Sequence, residues 1–338
     1  MPVTHAVRTG PPLSRYESGI FASSMPDNTV SPRVLSIQSH VVHGYVGNKC
    51  AVFPLQLHGF DVDPINSVQF SNHAGYPSHQ GTVMNGEELW NLVQGMQESN
   101  LLEYTHLLTG YIGSVSFLET IVRIVSLLRE RNPDLIYVCD PVMGDNNQLY
   151  VATELVPAYK NQIISLATVL TPNQYEAELL TGIKIDSKKA ALQACQALHD
   201  RGVATVVLTS IQLPDLKGEI LLIASTQVLQ QSGCSSSIQA NIPLLDAYFT
   251  GTGDLMTALL LANLYKDSSN MQHAMEQAIA SLQAVLQASA EVSGPAAHSR
   301  ERSAEVCKAR ELRLIQNQHL ILSPPVKLKV KPLDTHAD

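Results

Sequence analysis

The sequence lacks the features that mark several common classes of protein. Its 338 residues contain only five cysteines and no C-x-x-C pair, which indicates neither a disulfide framework nor a zinc site. No apolar run approaches the roughly 18 residues that cross a bilayer. A net charge of −8 without a basic block argues against nucleic acid or an anionic membrane as the main partner. We therefore expect a cytoplasmic protein that acts on small molecules.

The two common nucleotide-binding loops are also missing. The sequence contains no G-x-x-x-x-G-K-[ST] element. The stretch "FTGTGDLM", residues 249–256, has Met256 where the third glycine of a dinucleotide fingerprint belongs, and Asp254 would repel a pyrophosphate at that place. A different interpretation of this loop is needed.

Gly251 and Gly253 allow backbone N–H groups to turn toward one point, and a helix that begins near Asp254 adds the positive end of its dipole. With Thr252 between them, the two glycines predict an anion hole. A carboxylate beside such a hole can accept a proton from a hydroxyl while the N–H groups stabilise a phosphoryl group. This combination suits a kinase for small alcohols, although Asp254 could instead simply cap the helix, with the glycines forming a turn.

Short β-branched runs alternate with helix-like segments from residue 33 onward, which predicts an α/β fold with a mainly parallel central sheet. The runs are "RVLSIQS", "DLIYVCDPV", "ATVLTPN", "ATVVLTS" and "EILLIAS", and the helix-like segments include "SFLETIVRIVSLLRERN" and "KKAALQACQALHDRG". Residues 226–241, rich in Gln and Ser, are predicted to form a mobile excursion. We divide the chain into a disordered N-terminal extension (1–32), a catalytic domain (33–322) and a C-terminal tail (323–338). The extension, which is Ser- and Arg-containing and poor in acids, is also compatible with organelle targeting.

Polar residues that follow predicted strands are the candidates for chemistry, because open parallel sheets bind ligands beyond the carboxyl ends of their strands. Asp140 and Asp145 in "CDPVMGD" can hold Mg²⁺ or a monovalent cation, or can open a turn. In "TPNQYE", Thr171 is predicted to be the N-cap, with Gln174 completing a capping box.

Asn173 and Glu176, three residues apart, then lie on one side of the first turn, where they can meet hydrated Mg²⁺ and phosphate. Thr209 and Ser210 end another predicted strand with hydroxyls that can reach phosphate oxygens or form a turn. Near the first strand, Ser39 is followed by glycines that let a ligand approach the backbone. Apolar and aromatic surfaces that suit a flat heterocycle are predicted at Val68, Phe70 and Tyr111. These side chains can instead belong to the core.

Six motifs occur in an order that resembles the eukaryotic pyridoxal kinases of the ribokinase superfamily. They are "LSIQSHVVHGYVGNK", "NSVQFSNHAGY", "LLTGY", "VCDPVMGD", "LTPNQYEAELLTG" and "FTGTGDL". The resemblance implies a ribokinase-like three-layer α/β/α fold and transfer of the ATP γ-phosphoryl group to the 5′-hydroxymethyl group of pyridoxal, pyridoxine or pyridoxamine. It also implies Mg²⁺ or Zn²⁺ with ATP, a stimulating K⁺ or Na⁺, and a homodimer. A superfamily kinase for another small alcohol and a weakly active B6-binding protein are the alternatives.

Site residues follow from the same resemblance. It makes Asp254 the base and a substrate contact, and makes Gly251, Thr252 and Gly253 the anion hole. It places Ser39, Tyr111, Val68 and Phe70 around the pyridine ring. Around ATP and its cations it places Asp140, Asp145, Thr171, Asn173, Glu176, Thr209 and Ser210.

One position departs from the pattern that the resemblance implies. The family usually has Thr in the motif "SNHTGY", where this chain has Ala74, and that Thr contacts the substrate ring. Loss of one hydrogen bond is worth about 0.5–1.5 kcal/mol. We therefore expect a raised KM for the vitamin rather than loss of activity.

Overall fold

A ten-stranded sheet forms the centre of the fold. The computed structural model describes residues 31–227 and 235–333, so residues 1–30 of the predicted N-terminal extension lie outside the described part. Its strands, in spatial order, are β12-β11-β10-β9-β8-β5-β4-β1-β2-β3. They span β1 Arg33–Val41, β2 Asp61–Phe70, β3 Gly81–Val83, β4 His106–Thr109, β5 Ile136–Cys139, β8 Val169–Leu170, β9 Thr205–Ile211, β10 Glu219–Gln227, β11 Ser235–Pro243 and β12 Lys331–Pro332. A separate hairpin consists of β6 Gly144–Asp145 and β7 Gln148–Leu149.

Six adjacent strands in the middle of the sheet are parallel, from β2 through β1, β4, β5 and β8 to β9. The strands outside this group, β3 on one side and β10, β11 and β12 on the other, pair antiparallel. In the sheet β2 lies on one side of β1, whereas β4 and the parallel strands that follow it lie on the other side. The strand order therefore reverses at β1, and ligands of such sheets bind at this kind of reversal, beyond the carboxyl ends of the strands.

Helices cover both faces of the sheet, which confirms the predicted three-layer α/β/α fold. One core cluster contains residues of α2 Gly86–Glu98, α3 Val115–Arg131, α4 Leu155–Ala158, α5 Gln174–Thr181 and α6 Lys188–His199. The clusters on the other face draw on α1 Asn48–Leu57, α7 Thr252–Lys266, α8 Met271–Ser293 and α10 Gln318–Leu322, while the short α9 is Ala304–Ala309. None of the helices in the described ranges is long and apolar enough to span a membrane.

The local sequence explains two of these helices. In α3, the predicted apolar positions from Phe117 to Leu128 recur at three- and four-residue steps and are buried, and Ser114 caps the helix by accepting a hydrogen bond from Phe117 N–H. Helix α7 is apolar on all sides because it lies between the sheet and the neighbouring helices α1 and α8. This burial fixes the position of the N-terminus of α7 relative to the ends of the strands.

Two segment predictions are corrected by the structure. Residues 226–241 are not a mobile excursion over their whole length, because Gln227 ends β10 and Ser235–Pro243 forms β11, while residues 228–234 lie outside the described part. Within the predicted tail 323–338, Lys331–Pro332 pairs with β11 at the edge of the sheet and Val330 is buried, while residues 334–338 lie outside the described part. Pairing with β10 and burial of the alternate residues Ile238, Ala240 and Ile242 explain β11, and pairing with β11 in turn explains β12.

A buried histidine should make stability depend on pH. His106 in β4 is 1% exposed, its ring packs against Phe60 and Tyr265, and its Nε2 has no hydrogen-bond partner among the residues that the structure describes. Burial lowers the pKa of His106 from 6.5 to about 3. Below pH 6.5 the unfolded chain binds a proton that the folded protein excludes, so the free energy of unfolding should fall with decreasing pH by up to about 1.4 kcal/mol per pH unit.

We expect His106→Leu to remove this component of the slope between about pH 6.5 and 4, as measured by urea unfolding at a series of pH values. The exposed His319 provides the control, because His319→Leu removes an imidazole that is solvated in both states. An unchanged slope in His106→Leu would contradict the prediction.

Candidate active site

The first turn of α7 carries the predicted anion hole and the predicted base. Gly251 is the N-cap with a left-handed φ of 84°, and α7 begins at Thr252, two residues before Asp254. The first helical hydrogen bond runs from Leu255 N–H to the Gly251 carbonyl at 3.0 Å. The N–H groups of Thr252, Gly253 and Asp254 therefore have no acceptor within the helix, which is the arrangement that binds an anion.

Asp254 is held by a residue that follows β1. Gly47 N–H donates to Asp254 Oδ2 at 2.8 Å. Burial raises the pKa of Asp254, and this hydrogen bond lowers it in part. Asp254 therefore does not merely cap its helix, since its carboxylate is oriented by a second segment of the chain and is a stronger base than an exposed aspartate.

Two glycines allow this close contact between segments. A Cβ on Gly47, at φ 51°, would lie 2.1 Å from the Ser39 carbonyl oxygen and 2.4 Å from Ser39 Oγ. A Cβ on Gly251 would lie 2.3 Å from the Tyr45 carbonyl oxygen. Both positions therefore require glycine, and Ser39 is brought beside the turn that holds Asp254.

Asp140 lies behind the glycine loop. It follows β5, is 5% exposed, and its Oδ2 would be 3.7 Å from a Cβ on Gly253. Thr257 Oγ1 donates to Asp140 Oδ2 at 3.3 Å, and Thr257 Oγ1 also lies 3.0 Å from Thr171 Oγ1. The structure thus brings Asp140 and Thr171 together with the first turn of α7.

The predicted capping box at α5 is displaced by two residues. Asn173, not Thr171, is the N-cap, and the box pairs Asn173 with Glu176 rather than Thr171 with Gln174. The hydroxyl of Thr171 instead contacts Thr257, and Gln174 Nε2 donates to the Ile185 carbonyl at 2.7 Å. Tertiary contacts of Thr171 therefore decide where the helix starts, within a sequence that offers two capping residues.

Glu176 caps the start of α5 and also binds the backbone of the segment after β5. Its Oε1 accepts from Met143 N–H at 2.9 Å and from Gly144 N–H at 3.4 Å, and its Oε2 accepts from Asn173 N–H at 2.9 Å. Burial, with a smaller contribution from the charge of Asp145, raises the pKa of Glu176 to about 7, although these backbone donors lower it in part. With both oxygens engaged, Glu176 fixes the segment after β5 and leaves little capacity for a metal.

Asp145 lies at the edge of the site rather than inside it. It is exposed in the β6–β7 hairpin, where Asn146 and Asn147 adopt left-handed φ angles of 49° and 60°. Asn146 N–H donates to Asp145 Oδ1 at 2.7 Å and Asn146 Nδ2 to Oδ2 at 3.0 Å. The two asparagines form a tight hairpin turn that carries Asp145 over the strand ends.

Thr209 and Ser210 are inside β9 rather than at its end. The register between β9 and β10 shifts here, since Ile211 pairs with Leu221 and Leu208 with Ile223. Two residues of β9 therefore oppose one of β10, which is a β-bulge. Thr209 N–H donates to the Pro172 carbonyl at 3.1 Å, so the bulge lies beside the segment that leads into α5.

The four residues predicted around a heterocycle lie on, or directly after, neighbouring strands. Ser39 in β1 pairs with Val68 in β2 at a register shift, and Phe70 ends β2. Val68 is 2% exposed, whereas Phe70 is half-buried and its ring lies 4.8 Å from that of His79. Tyr111 follows β4 and is anchored through its carbonyl, which accepts from Ser67 Oγ at 2.9 Å. All four therefore flank the reversal of strand order at β1.

The acidic residues of this site lack basic counterparts. Burial, reinforced by the charges of Glu176 and Asp254, raises the pKa of Asp140 well above its ordinary value. In the described part of the chain, no Lys or Arg forms an ion pair with Asp140, Glu176 or Asp254. Nor do three or more His, Cys, Asp or Glu side chains there form a group that could hold a metal by themselves. Without such an ion pair among the described residues, the charged forms of these buried acids are unfavourable, and the raised pKa of Asp140 reflects this.

Comparison with known proteins decides the family. Residues 100–298 match the family model described as phosphomethylpyrimidine kinase. The chain is 49% identical over 312 residues to the pyridoxal kinase of Arabidopsis thaliana, covering 92% of this chain and 97% of the relative. It is 42% identical to the human pyridoxal kinase, covering 89% and 98%. The chain belongs to the pyridoxal kinase family.

Solved structures of the pyridoxal kinase family agree with this assignment. The pyridoxal kinase of Leishmania donovani, in complex with ADP and pyridoxamine, superposes with a TM-score of 0.81 at 36% identity. The match covers 89% of this chain and 99% of that one. The likeness therefore extends over most of the chain and shows the same fold.

Sequence reasoning missed several residues of this pyridoxal kinase site. Gly47 was noted only for ligand approach, yet its N–H orients Asp254. Thr257 is a single hydroxyl in an apolar run one turn after Asp254, and this isolated polar residue is the signal that could have revealed it. Glu311 and His73 contact each other from distant segments, and no local pattern indicates that contact.

We expect Gly47→Ala to lower turnover at least tenfold, because the added Cβ displaces the N–H that orients Asp254. Gly182→Ala is the matched control: Gly182 also has a left-handed φ, of 77°, but a Cβ there meets nothing within 4 Å. Both changes should cost about 1–3 kcal/mol of stability through backbone strain. Steady-state kinetics and urea unfolding separate the two effects, and equal turnover in the two variants would contradict the role of Gly47.

Proposed function

We propose that this pyridoxal kinase transfers the γ-phosphoryl group of ATP to the 5′-hydroxymethyl group of pyridoxal, pyridoxine or pyridoxamine, with Asp254 as the general base. The kinase activity follows from the family, and the observation that supports the role of Asp254 is its place in the first turn of α7, oriented by Gly47 N–H. The carboxylate and the N–H groups lacking helical acceptors lie within one helical turn.

The proposed step moves one proton and one phosphoryl group. Asp254 accepts the proton of the 5′-hydroxyl group of the vitamin. The oxygen of that hydroxyl forms a bond to the γ-phosphorus of ATP, and the bond from this phosphorus to the leaving oxygen of ADP breaks. The N–H groups of Thr252, Gly253 and Asp254 stabilise the negative charge on the phosphoryl oxygens. Burial raises the pKa of Asp254, which makes its carboxylate a better proton acceptor than an exposed aspartate.

The vitamin is proposed to lie at the reversal of strand order. Ser39 and Tyr111 hold the pyridine ring, and Val68 and Phe70 border it. Support comes from the placement of these residues on β1, β2 and the segment after β4, and from the pyridoxamine bound by the Leishmania relative.

ATP and its cations are proposed to lie along the ends of β5, β8 and β9. Asp140, a buried carboxylate with one long hydrogen bond from a hydroxyl, fits a role toward hydrated Mg²⁺ or Zn²⁺. Asp145 and Thr171 are further candidates for the cation site, whereas Glu176, with both oxygens bonded, fits a supporting role. Asn173, Thr209 and Ser210 are proposed to face the nucleotide. A divalent cation supplies charge neutralisation to the phosphates, and K⁺ or Na⁺ is proposed as an activator.

We also propose that the protein is a homodimer in the cytoplasm. Its N-terminal extension could direct it to an organelle instead. These proposals depend on the family resemblance and the composition of residues 1–32.

We expect Asp254→Asn to lower turnover roughly 10²–10⁴-fold, the range for loss of a general base. Asparagine keeps an oxygen that can accept the Gly47 N–H, so folding and pyridoxal binding should persist. Formation of pyridoxal 5′-phosphate from ATP and pyridoxal measures the effect, with hydroxymethylpyrimidine and ribose as competing substrates. Asp246→Asn, at a carboxyl that is 94% exposed, is the matched charge control. Turnover of Asp254→Asn close to that of the parent would remove Asp254 as the base.

Ala74→Thr should lower the KM for pyridoxal about 2–10-fold, because it restores a hydroxyl worth one hydrogen bond. Ala74 is exposed in the segment after β2, so the larger side chain can be accommodated. Ala74→Val, which has the shape of Thr without the hydroxyl, is the matched control. The same KM in the Thr and Val variants would show that the hydroxyl contributes nothing.

A further inference from the structure

A buried carboxylate near the end of the described chain joins two segments of the site. Glu311 is 5% exposed and accepts three hydrogen bonds. Tyr76 Oη donates to its Oε1 at 3.0 Å, His73 Nε2 lies 3.2 Å from the same oxygen, and Tyr45 N–H donates to its Oε2 at 2.9 Å. Burial alone would raise the pKa of Glu311, but these donors outweigh burial and lower it. Glu311 is thus a carboxylate with donors on both oxygens.

The contacts of Glu311 with His73 and Tyr76 fix the loop that contains Ala74. His73 Nδ1 accepts from Gly75 N–H at 3.1 Å, so the ring proton of a neutral His73 must be on Nε2, which faces Glu311. His73 and Tyr76 flank Ala74, and both donate to the same carboxylate oxygen. The backbone of residues 73–76 is therefore held from both sides by Glu311.

Glu311 also contacts the segment after β1 that holds Asp254. The Tyr45 N–H is bonded to Glu311, and the Tyr45 carbonyl packs against Gly251. Two residues after Tyr45, Gly47 N–H holds the Asp254 carboxylate. Displacement of Tyr45 would therefore move the turn that orients Asp254.

The same C-terminal segment contacts the Ala74 loop a second time. Arg302 Nη2 donates to the Ala74 carbonyl at 3.0 Å, and Arg302 Nε donates to the Gly75 carbonyl at 3.3 Å. Cys307 Sγ also donates to the Gly75 carbonyl, at 3.3 Å. The loop is thus attached to residues 302–311 through its backbone as well as through His73 and Tyr76.

We propose that Glu311 is a positioning residue for vitamin binding, which sets the loop around Ala74 relative to the turn that holds Asp254. This inference rests on the proposed vitamin site. Glu311 itself acts through Tyr45, His73 and Tyr76. Its effect should therefore appear in the binding of the vitamin more than in the binding of ATP.

The chemistry requires a carboxylate at this position. Three donors converge on Glu311, and only a group with two acceptor oxygens can satisfy them all. In Glu311→Gln, the amide NH₂ must face either Tyr45 N–H or the pair formed by His73 Nε2–H and Tyr76 Oη. Because His73 Nδ1 already accepts from Gly75, His73 cannot become the acceptor without losing that hydrogen bond. Glu311→Gln must therefore lose either the hydrogen bond from Tyr45 N–H or a hydrogen bond to the Ala74 loop.

The test measures pyridoxal binding directly, by spectroscopic titration without ATP, and then KM for pyridoxal and for ATP. We expect Glu311→Gln to raise the Kd and KM for pyridoxal about tenfold and to leave the KM for ATP within about twofold. Tyr76→Phe removes one donor and keeps the ring, so it should raise the same two constants about 2–5-fold. Glu305→Gln, an exposed glutamate in the same segment, is the matched charge control and should behave as the parent.

The proposal is overturned if Glu311→Gln binds pyridoxal like the parent, or if its losses affect ATP and pyridoxal equally and follow the folded fraction measured by urea unfolding. If Glu311→Gln does not fold, Tyr76→Phe decides alone, and unchanged pyridoxal binding in that variant overturns the proposal. A parent protein that binds pyridoxal but forms no phosphate ester would contradict the proposed function, while the titration would still test Glu311.

Discussion

The hydrogen bond from Gly47 N–H to the Asp254 carboxylate is the interaction on which the arrangement of the site depends. The two residues are 207 positions apart and are joined only because β1 and α7 pack together through α1. The bond requires a left-handed residue next to Ser39, and glycine alone fits there. Without this donor the Asp254 side chain would be free to change rotamer, and the proposed base depends on correct orientation for much of its effect.

Burial of several acids near one another gives this site its electrostatic character. Asp140, Glu176 and Asp254 all have raised pKa values, with burial as the largest cause in each case. Glu176 is satisfied by backbone donors, whereas the Asp140 carboxylate accepts one hydrogen bond, from the Thr257 hydroxyl, among the described residues. A buried carboxylate with so few donors is unfavourable in its charged form, so a group that brought positive charge to Asp140 would relieve that cost.

The sequence predicted the architecture and the segments of the site better than it predicted the contacts. Strand-helix alternation led to the parallel sheet, and the polar residues after its strands led to Asp140, because topology alone places strand ends at one edge. Asp254 was predicted separately, from the glycine loop before an apolar helix. The predicted start of α5 was wrong because "TPNQYE" contains two residues that can cap a helix, and the Thr171 hydroxyl contacts Thr257 while Asn173 is the N-cap. Strand β11 was missed although Ile238, Ala240 and Ile242 alternate and are buried, because the Gln- and Ser-rich stretch before them obscured this short pattern. Contacts of Glu311 span more than two hundred residues and leave no periodic signal.

The alanine at position 74 changes what the surrounding loop must do. A loop that presents a hydroxyl can hold a ligand even when its backbone shifts slightly, because the side chain can rotate to follow. Ala74 has no such freedom, so any contribution of this loop must come from where its backbone lies. That backbone is fixed by Arg302 through two carbonyls and by Glu311 through His73 and Tyr76. Attachment of the loop to the C-terminal segment therefore matters more here than in a relative that keeps the hydroxyl.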